Sequence, residues 1–178
     1  MGLRLPPSGF TDRTAALAGV RYASWLRRFA GAFLDALIVG MIEYLISHVL
    51  AFVVPPFANR TAALIVFIAV IAPIAIVYAT LCLAKLEGQT PGMRLLQIRC
   101  TPVLGHGRLS MPQAFTRSLS AEVLLSAPLL LFGRFGALVS LLVVLVPFAA
   151  YFWPLVDARR QTWWDHIAAT VVLDDRGW

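Results

Sequence analysis

Four apolar runs divide this chain, at residues 29–54, 62–84, 118–132 and 135–156. Between them lie the stretch PPFANR, a long polar segment and the short Gly133-Arg134 break. About 20 mostly apolar residues are needed to cross the roughly 30 Å hydrocarbon core, so each run predicts a membrane-spanning helix. The third is the shortest, with Glu122 near its start and Pro128 inside it. It admits two other readings, a half-span or a surface helix. The expected fold class is an all-α integral membrane protein, a bundle of four transmembrane helices with cytoplasmic amphipathic segments.

Basic residues decide between three spans and four. Arg4, Arg13, Arg21, Arg27 and Arg28 precede the first run; Arg94, Arg99 and Arg108 lie in the central segment; Arg159, Arg160 and Arg176 follow the last run. The turn after the first run has only Arg60, and the break after the third has only Arg134. With four spans every basic cluster falls on one side, which the positive-inside rule makes cytoplasmic. Both termini are then expected in the cytoplasm, and the membrane to be a bacterial inner (plasma) membrane. Trp25, Tyr151, Trp153, Trp163 and Trp164 gather at the same interface. Residues 1–24 read as a cytoplasmic segment, 25–173 as one transmembrane domain and 174–178 as a tail.

Composition agrees with that pattern. The chain is 60% hydrophobic and 13% charged, with a mean hydropathy of +0.79, outside the range of a water-soluble domain. The lipid bilayer is the expected partner. A net charge of +6 reads as a topology signal rather than a nucleic-acid surface. The first 28 residues lack the central apolar run of a secretory signal, and Gly2 is not followed by a myristoylation pattern. Cys82 and Cys100 form no CxxC pair, so free thiols are expected, with no disulfide, metal or other cofactor.

Three stretches carry the candidate chemistry. In the first run, Asp35 lies about 10 Å beyond Phe29 at 1.5 Å per residue, inside the hydrocarbon. A carboxylate there costs at least about 2.5 kcal/mol on insertion scales, so it must face protein or water, or be neutral. Seven residues at 100° each bring Arg28 and Asp35 to within about 20° on one helix face, two turns apart. Glu43 continues the polar stripe outward. Two readings stand side by side. In one, the stripe faces the bundle interior and fixes packing, helped by the small Gly31, Ala32 and Ala36; in the other, Asp35 and Glu43 hold a proton or cation on a path.

The second stretch is GQTPGMRLLQIRC. Its glycines and proline read as a tight turn, and MRLLQIRC as a short amphipathic surface segment. It lacks a Gly-Lys-Ser/Thr ending, so nucleotide binding is rejected. The third is RRQTWWDHIAATVVL, read as an interfacial helix with a basic edge. His166 beside Asp165 suggests acid/base chemistry, but adjacent residues face different sides of a helix. No nucleophile or metal constellation supports an enzyme.

These three stretches together resemble the RDD family of small membrane proteins, named for one arginine and two aspartates. The Arg-x6-Asp of its first helix corresponds to Arg28 and Asp35 in RRFAGAFLD; its G-x-T-x-G-K/R turn to Gly88, Thr90, Gly92 and Arg94 in GQTPGMR; its basic tail to Asp165 and Thr170 in RRQTWWDHIAAT. Here Met93 stands where a lysine is usual, Trp164 replaces the histidine before Asp165, and Ala169 replaces the glycine before Thr170. For the family the resemblance implies a membrane fold and a suggested transport role, sodium or proton exchange among some members.

Two functions compete. In a transport component, Asp35 changes protonation or binds a cation, and four helices would require a homo-oligomer or a larger membrane complex, since no inverted repeat is visible. In a non-catalytic accessory or assembly subunit, Arg28 pairs with Asp165, or Asp35 with Arg94, to lock the Gly88 turn onto the first helix. Glu43 and His166 are secondary polar candidates in either case.

Overall fold

The computed structural model describes residues 21–53, 69–70, 72–104, 107–131 and 136–176. Helix α1, Trp25–Val53, begins at Ser24, whose side-chain oxygen accepts from Arg27 N at 3.4 Å. A hydroxyl at this position satisfies one of the otherwise unpaired first-turn N–H groups. Helix α2, Ala72–Lys85, is the end of the second expected span. Most of that span's first part, and the PPFANR turn, lie outside the described residues, as does the Gly133-Arg134 break. Helix α4, Met111–Leu131, and helix α5, Ala137–Phe152, follow further on, and α4 packs against both α2 and α5.

Among the described residues two helices are long and apolar enough to cross a membrane, Trp25–Leu50 and Leu138–Leu155. Their surfaces are consistent with lipid contact. Phe33, Leu37, Met41 and Leu45 of α1 are exposed, as are Leu141, Leu142, Leu145 and Phe148 of α5. An apolar surface this extensive is out of place in water.

Most of the buried residues gather at one polar end, and there the all-α expectation is corrected. Strand β1, Ile98–Pro102, pairs antiparallel with strand β2, Thr170–Asp174, with Cys100 opposite Val172. Tyr22 bridges to Leu173, and Ala23 N donates to Val172 O at 3.0 Å, extending the pairing on the far edge of β2. MRLLQIRC is therefore not one amphipathic segment, and the tail after Asp165 is not one interfacial helix. Both end in strands because Ile98, Cys100, Thr101 and Thr170 through Leu173 are buried without a helical period. Buried backbone N–H groups need partners, and the ladder supplies them. Asp174 closes β2 rather than opening a free tail: its carboxylate lies 2.7 Å from Arg27 Nη1.

The GQTPG stretch also divides differently from the single tight turn expected. Gly88 ends the turn after α2 at φ +80°, where an added Cβ would overlap the Cys100 carbonyl oxygen. Thr90 then caps a separate short helix, α3 (Pro91–Leu95), accepting from Met93 N at 3.2 Å. Proline suits the first helical position, whose N–H would be unpaired.

Helix α4 starts seven residues before the third apolar run. The run understated it because its first turns are polar, among them Arg117, which is nevertheless buried against protein. At 1.5 Å per residue its 21 residues reach about 31 Å.

Helix α6, Trp163–Ile167, carries a capping box: Thr162 Oγ1 accepts from Asp165 N, and Asp165 Oδ2 accepts from Thr162 N. The turn from α6 into β2 puts Ala169 at φ +51°. A glycine is free to adopt this left-handed conformation, whereas alanine pays about 1 kcal/mol for it. The glycine that the resemblance places at this position thus has a backbone reason, and this chain departs from it at a cost. Ala169→Gly is expected to stabilise the detergent-solubilised protein by up to about 1 kcal/mol, read as a higher thermal midpoint, with Ala158→Gly as the control that shows no rise.

Candidate functional site

Two carboxylates organise the polar end, and each is held in a different way. Asp165 has no solvent exposure. Arg28 Nη1 donates to its Oδ2 at 2.8 Å, and Arg117 Nε to its Oδ1 at 2.9 Å. Thr162 N and Thr170 Oγ1 also donate to it, at 3.1 and 3.3 Å. Arg28 reaches further, giving Nη2 to Val172 O at 3.3 Å. One carboxylate thereby joins α1, α4, α6 and β2.

Burial pushes the Asp165 carboxyl up, but the Arg117 and Arg28 guanidiniums and the Thr162 hydrogen bonds outweigh it and hold it at about 2. Charged donors stabilise the ionised form more than the low-dielectric surroundings destabilise it. Arg28 and Asp35, sharing a face of α1, serve separate centres.

Among the described residues, Asp35 is bound by neutral donors alone. Tyr78 Oη and Gly92 N donate to its Oδ1 at 2.8 and 2.9 Å, and Thr90 Oγ1 to its Oδ2 at 2.5 Å. The carboxylate ties α1 to α2 and to the start of α3. Gly92 permits this, because a Cβ there would overlap the Gly31 carbonyl oxygen and crowd the Asp35 carboxyl. Of the two alternative pairs, Arg28–Asp165 forms and Asp35–Arg94 does not: Arg94 is exposed. Neutral donors suffice because three of them converge on the two oxygens.

The remaining candidates fall around these centres. Gly88 shapes the turn, its carbonyl accepting from Cys100 N at 2.8 Å. His166 is exposed, with Nε2 3.3 Å from Asp157 Oδ1, away from the buried cluster. Glu43 lines a cavity of about 430 Å³ between α1, α2 and α4. Arg28, Asp35, Tyr78, Arg117 and Glu122 share that cavity.

Sequence reasoning did not single out Arg117, Tyr78 or Thr162. Arg117 carried a signal, a basic residue directly before the third apolar run. Thr162 carried another, the T-x-x-D spacing to Asp165 that marks a capping box. Tyr78, inside an apolar run, carried none.

Exposed apolar helices, two of them long enough to cross a membrane, and a buried polar end are the marks of an α-helical membrane protein. The chain belongs to the RDD family, whose model matches residues 22–169. No curated protein and no solved structure matches it. The match stops one residue short of β2, so the strand that completes the sheet lies beyond it.

Removing the charge on Asp165 leaves two buried guanidiniums facing each other. Asp165→Asn is expected to cost about 3–5 kcal/mol, read as a lower thermal midpoint and reduced abundance in the membrane. The pH dependence has a definite sign. The folded carboxyl lies near 2, below its ordinary 3.8, so its contribution is full above about pH 4 and is lost as pH falls toward 2. Wild type should lose stability across that window more steeply than Asp165→Asn, as measured by thermal midpoints from pH 5 downward.

Proposed function

We propose that this chain is a four-span protein of the bacterial plasma membrane, with both termini cytoplasmic, that works as a proton- or cation-linked transport component. The four apolar runs, the one-sided arginines and the length of α4 support the topology. The observation that carries the function is the double position of Asp35. Its carboxylate forms part of the cavity wall and also holds α3 onto α1 through Thr90 and Gly92.

A proton or cation reaching Asp35 from the cavity competes with those donors. Protonation removes the charge that makes three converging donors favourable, and a protonated oxygen is a poorer acceptor. The latch between α1 and the α3 loop then loosens. Occupancy of the cavity is coupled in this way to the position of the loop at the cytoplasmic face. Neither enzyme chemistry nor nucleic acid enters this reading. Four helices are few for a carrier, so a homo-oligomer or a larger membrane complex completes the path.

The accessory-subunit reading keeps one specific support. Both oxygens of Asp165 are occupied by protein donors, so that centre serves assembly alone. Proteoliposomes under an imposed proton or sodium gradient separate the two. Transport predicts flux that Asp35→Asn reduces by about tenfold, the equivalent of about 1.4 kcal/mol, at equal amounts of folded protein. No flux from wild type under either gradient, with a second membrane protein co-purifying in mild detergent, would favour the accessory role.

A further inference from the structure

Outside the cavity already described, the charges at the polar end converge on one other place. A surface pocket of about 480 Å³ is lined by Arg21, Tyr22, Ser24, Arg160, Asp174 and Arg176, with Ala158 at its edge. Three guanidiniums there face one carboxylate. That carboxylate is already engaged, lying 2.8 Å from Arg176 Nη2 and 2.7 Å from Arg27 Nη1. The guanidiniums of Arg21 and Arg160 have no acceptor among the described residues, and both residues are exposed.

Arg160 is also presented by a built turn. Asp157 Oδ2 accepts from Arg159 N at 3.0 Å and from Gln161 N at 2.9 Å, and Asp157 O accepts from Arg160 N at 3.0 Å. Within it Arg160 sits at φ +52°, a conformation a long side chain rarely adopts. Such strain persists where the surroundings over-determine it, and it is concentrated at ligand sites. The positive-inside rule accounts for arginines on this face, but not for a pocket that gathers three of them from three separate segments of the chain.

We propose that this pocket binds a phosphate group. Guanidiniums match phosphate oxygens in paired hydrogen bonds, and the volume is that of a small-molecule site. Two sources offer the chemistry. The pocket adjoins the start of α1, where Trp25 stacks on Phe152 at 4.9 Å, at the level where tryptophans meet headgroups. An anionic lipid headgroup can therefore reach it, and so can a free phosphate compound from the aqueous side.

The full chain in mild detergent serves for the test. Native mass spectrometry compares phosphatidylglycerol with phosphatidylcholine adducts, and thermal midpoints compare inorganic phosphate with chloride at equal ionic strength. Two variants probe the pocket: Arg21→Gln with Arg160→Gln, which removes two cations whose guanidiniums hold nothing else among the described residues, and Ala158→Glu, which adds a carboxylate at the rim. The expected result is a preference for the anionic lipid, a phosphate-dependent rise in midpoint, or both, each weakened about tenfold in affinity by either variant. Lipid preference alone identifies the headgroup as the source; a phosphate response alone, or together with it, admits the free compound. Absence of both effects in wild type, or effects of wild-type size in both variants, overturns the proposal.

Discussion

A carboxylate with no access to water, held between two guanidiniums, sets the arrangement of the polar end of this protein. Asp165 sits on a five-residue helix that could not persist alone, yet it orients elements far apart in the chain. Arg28 comes from the start of α1, Arg117 from the first half of α4, and both meet the same side chain. Two cations around one anion leave an excess positive charge in a buried place. The backbone carbonyl of Val172 takes part of it through Arg28 Nη2, so the strand pairing and the ion cluster are mutually dependent. Moving β2 would strip an acceptor from Arg28 as well as unpairing β1.

Asp35 solves the related problem deeper in the chain by another route. A carboxylate away from bulk water needs donors, and these can be full charges or oriented dipoles. The dipolar solution asks for close backbone approach, and the glycines provide it: Gly31 on α1 and Gly92 on α3 bring the two elements within contact of each other. Thr90 does two things with one hydroxyl, donating to Asp35 while accepting from Met93 N. Helix capping and the latch are consequently one structure. An arginine brought to Asp35 would replace these dipoles with an ion pair.

Much of this was legible before any coordinates, and the reasons for success and failure are physical. The helix period placed Arg28 and Asp35 on one face, and apolar length marked α1 and α5. The resemblance pointed to Asp165 and the Gly88–Gly92 stretch because those positions need either a charge or the absence of a Cβ. What escaped was non-local. Nothing in IRCTP or TVVLD alone says that they pair across some seventy residues; short buried segments have no period that distinguishes strand from helix. Arg117 and Tyr78 were likewise hidden, since their importance comes from what they meet, and their neighbours in sequence do not reveal it. Arg94 was misread for the converse reason: its spacing from Gly92 said nothing of which way a one-turn helix would face.

The division between the ends of the molecule explains why so small a chain keeps so many buried polar contacts. In lipid, apolar side chains gain little by meeting one another, so burial of leucine cannot position a helix. Helix α1 shows the consequence. Its outer surface is largely exposed, and its placement relative to α3 and β2 rests on Arg27, Arg28, Gly31 and Asp35 in the first three turns. Beyond Asp35 the described contacts become sparse, and the cavity opens between α1, α2 and α4 where small residues such as Ala36, Gly40, Ala75 and Ala121 leave room. Among the described residues, the positions that hold α1 lie in its first three turns, and Asp35 is the one of them that borders the cavity as a carboxylate held by neutral donors.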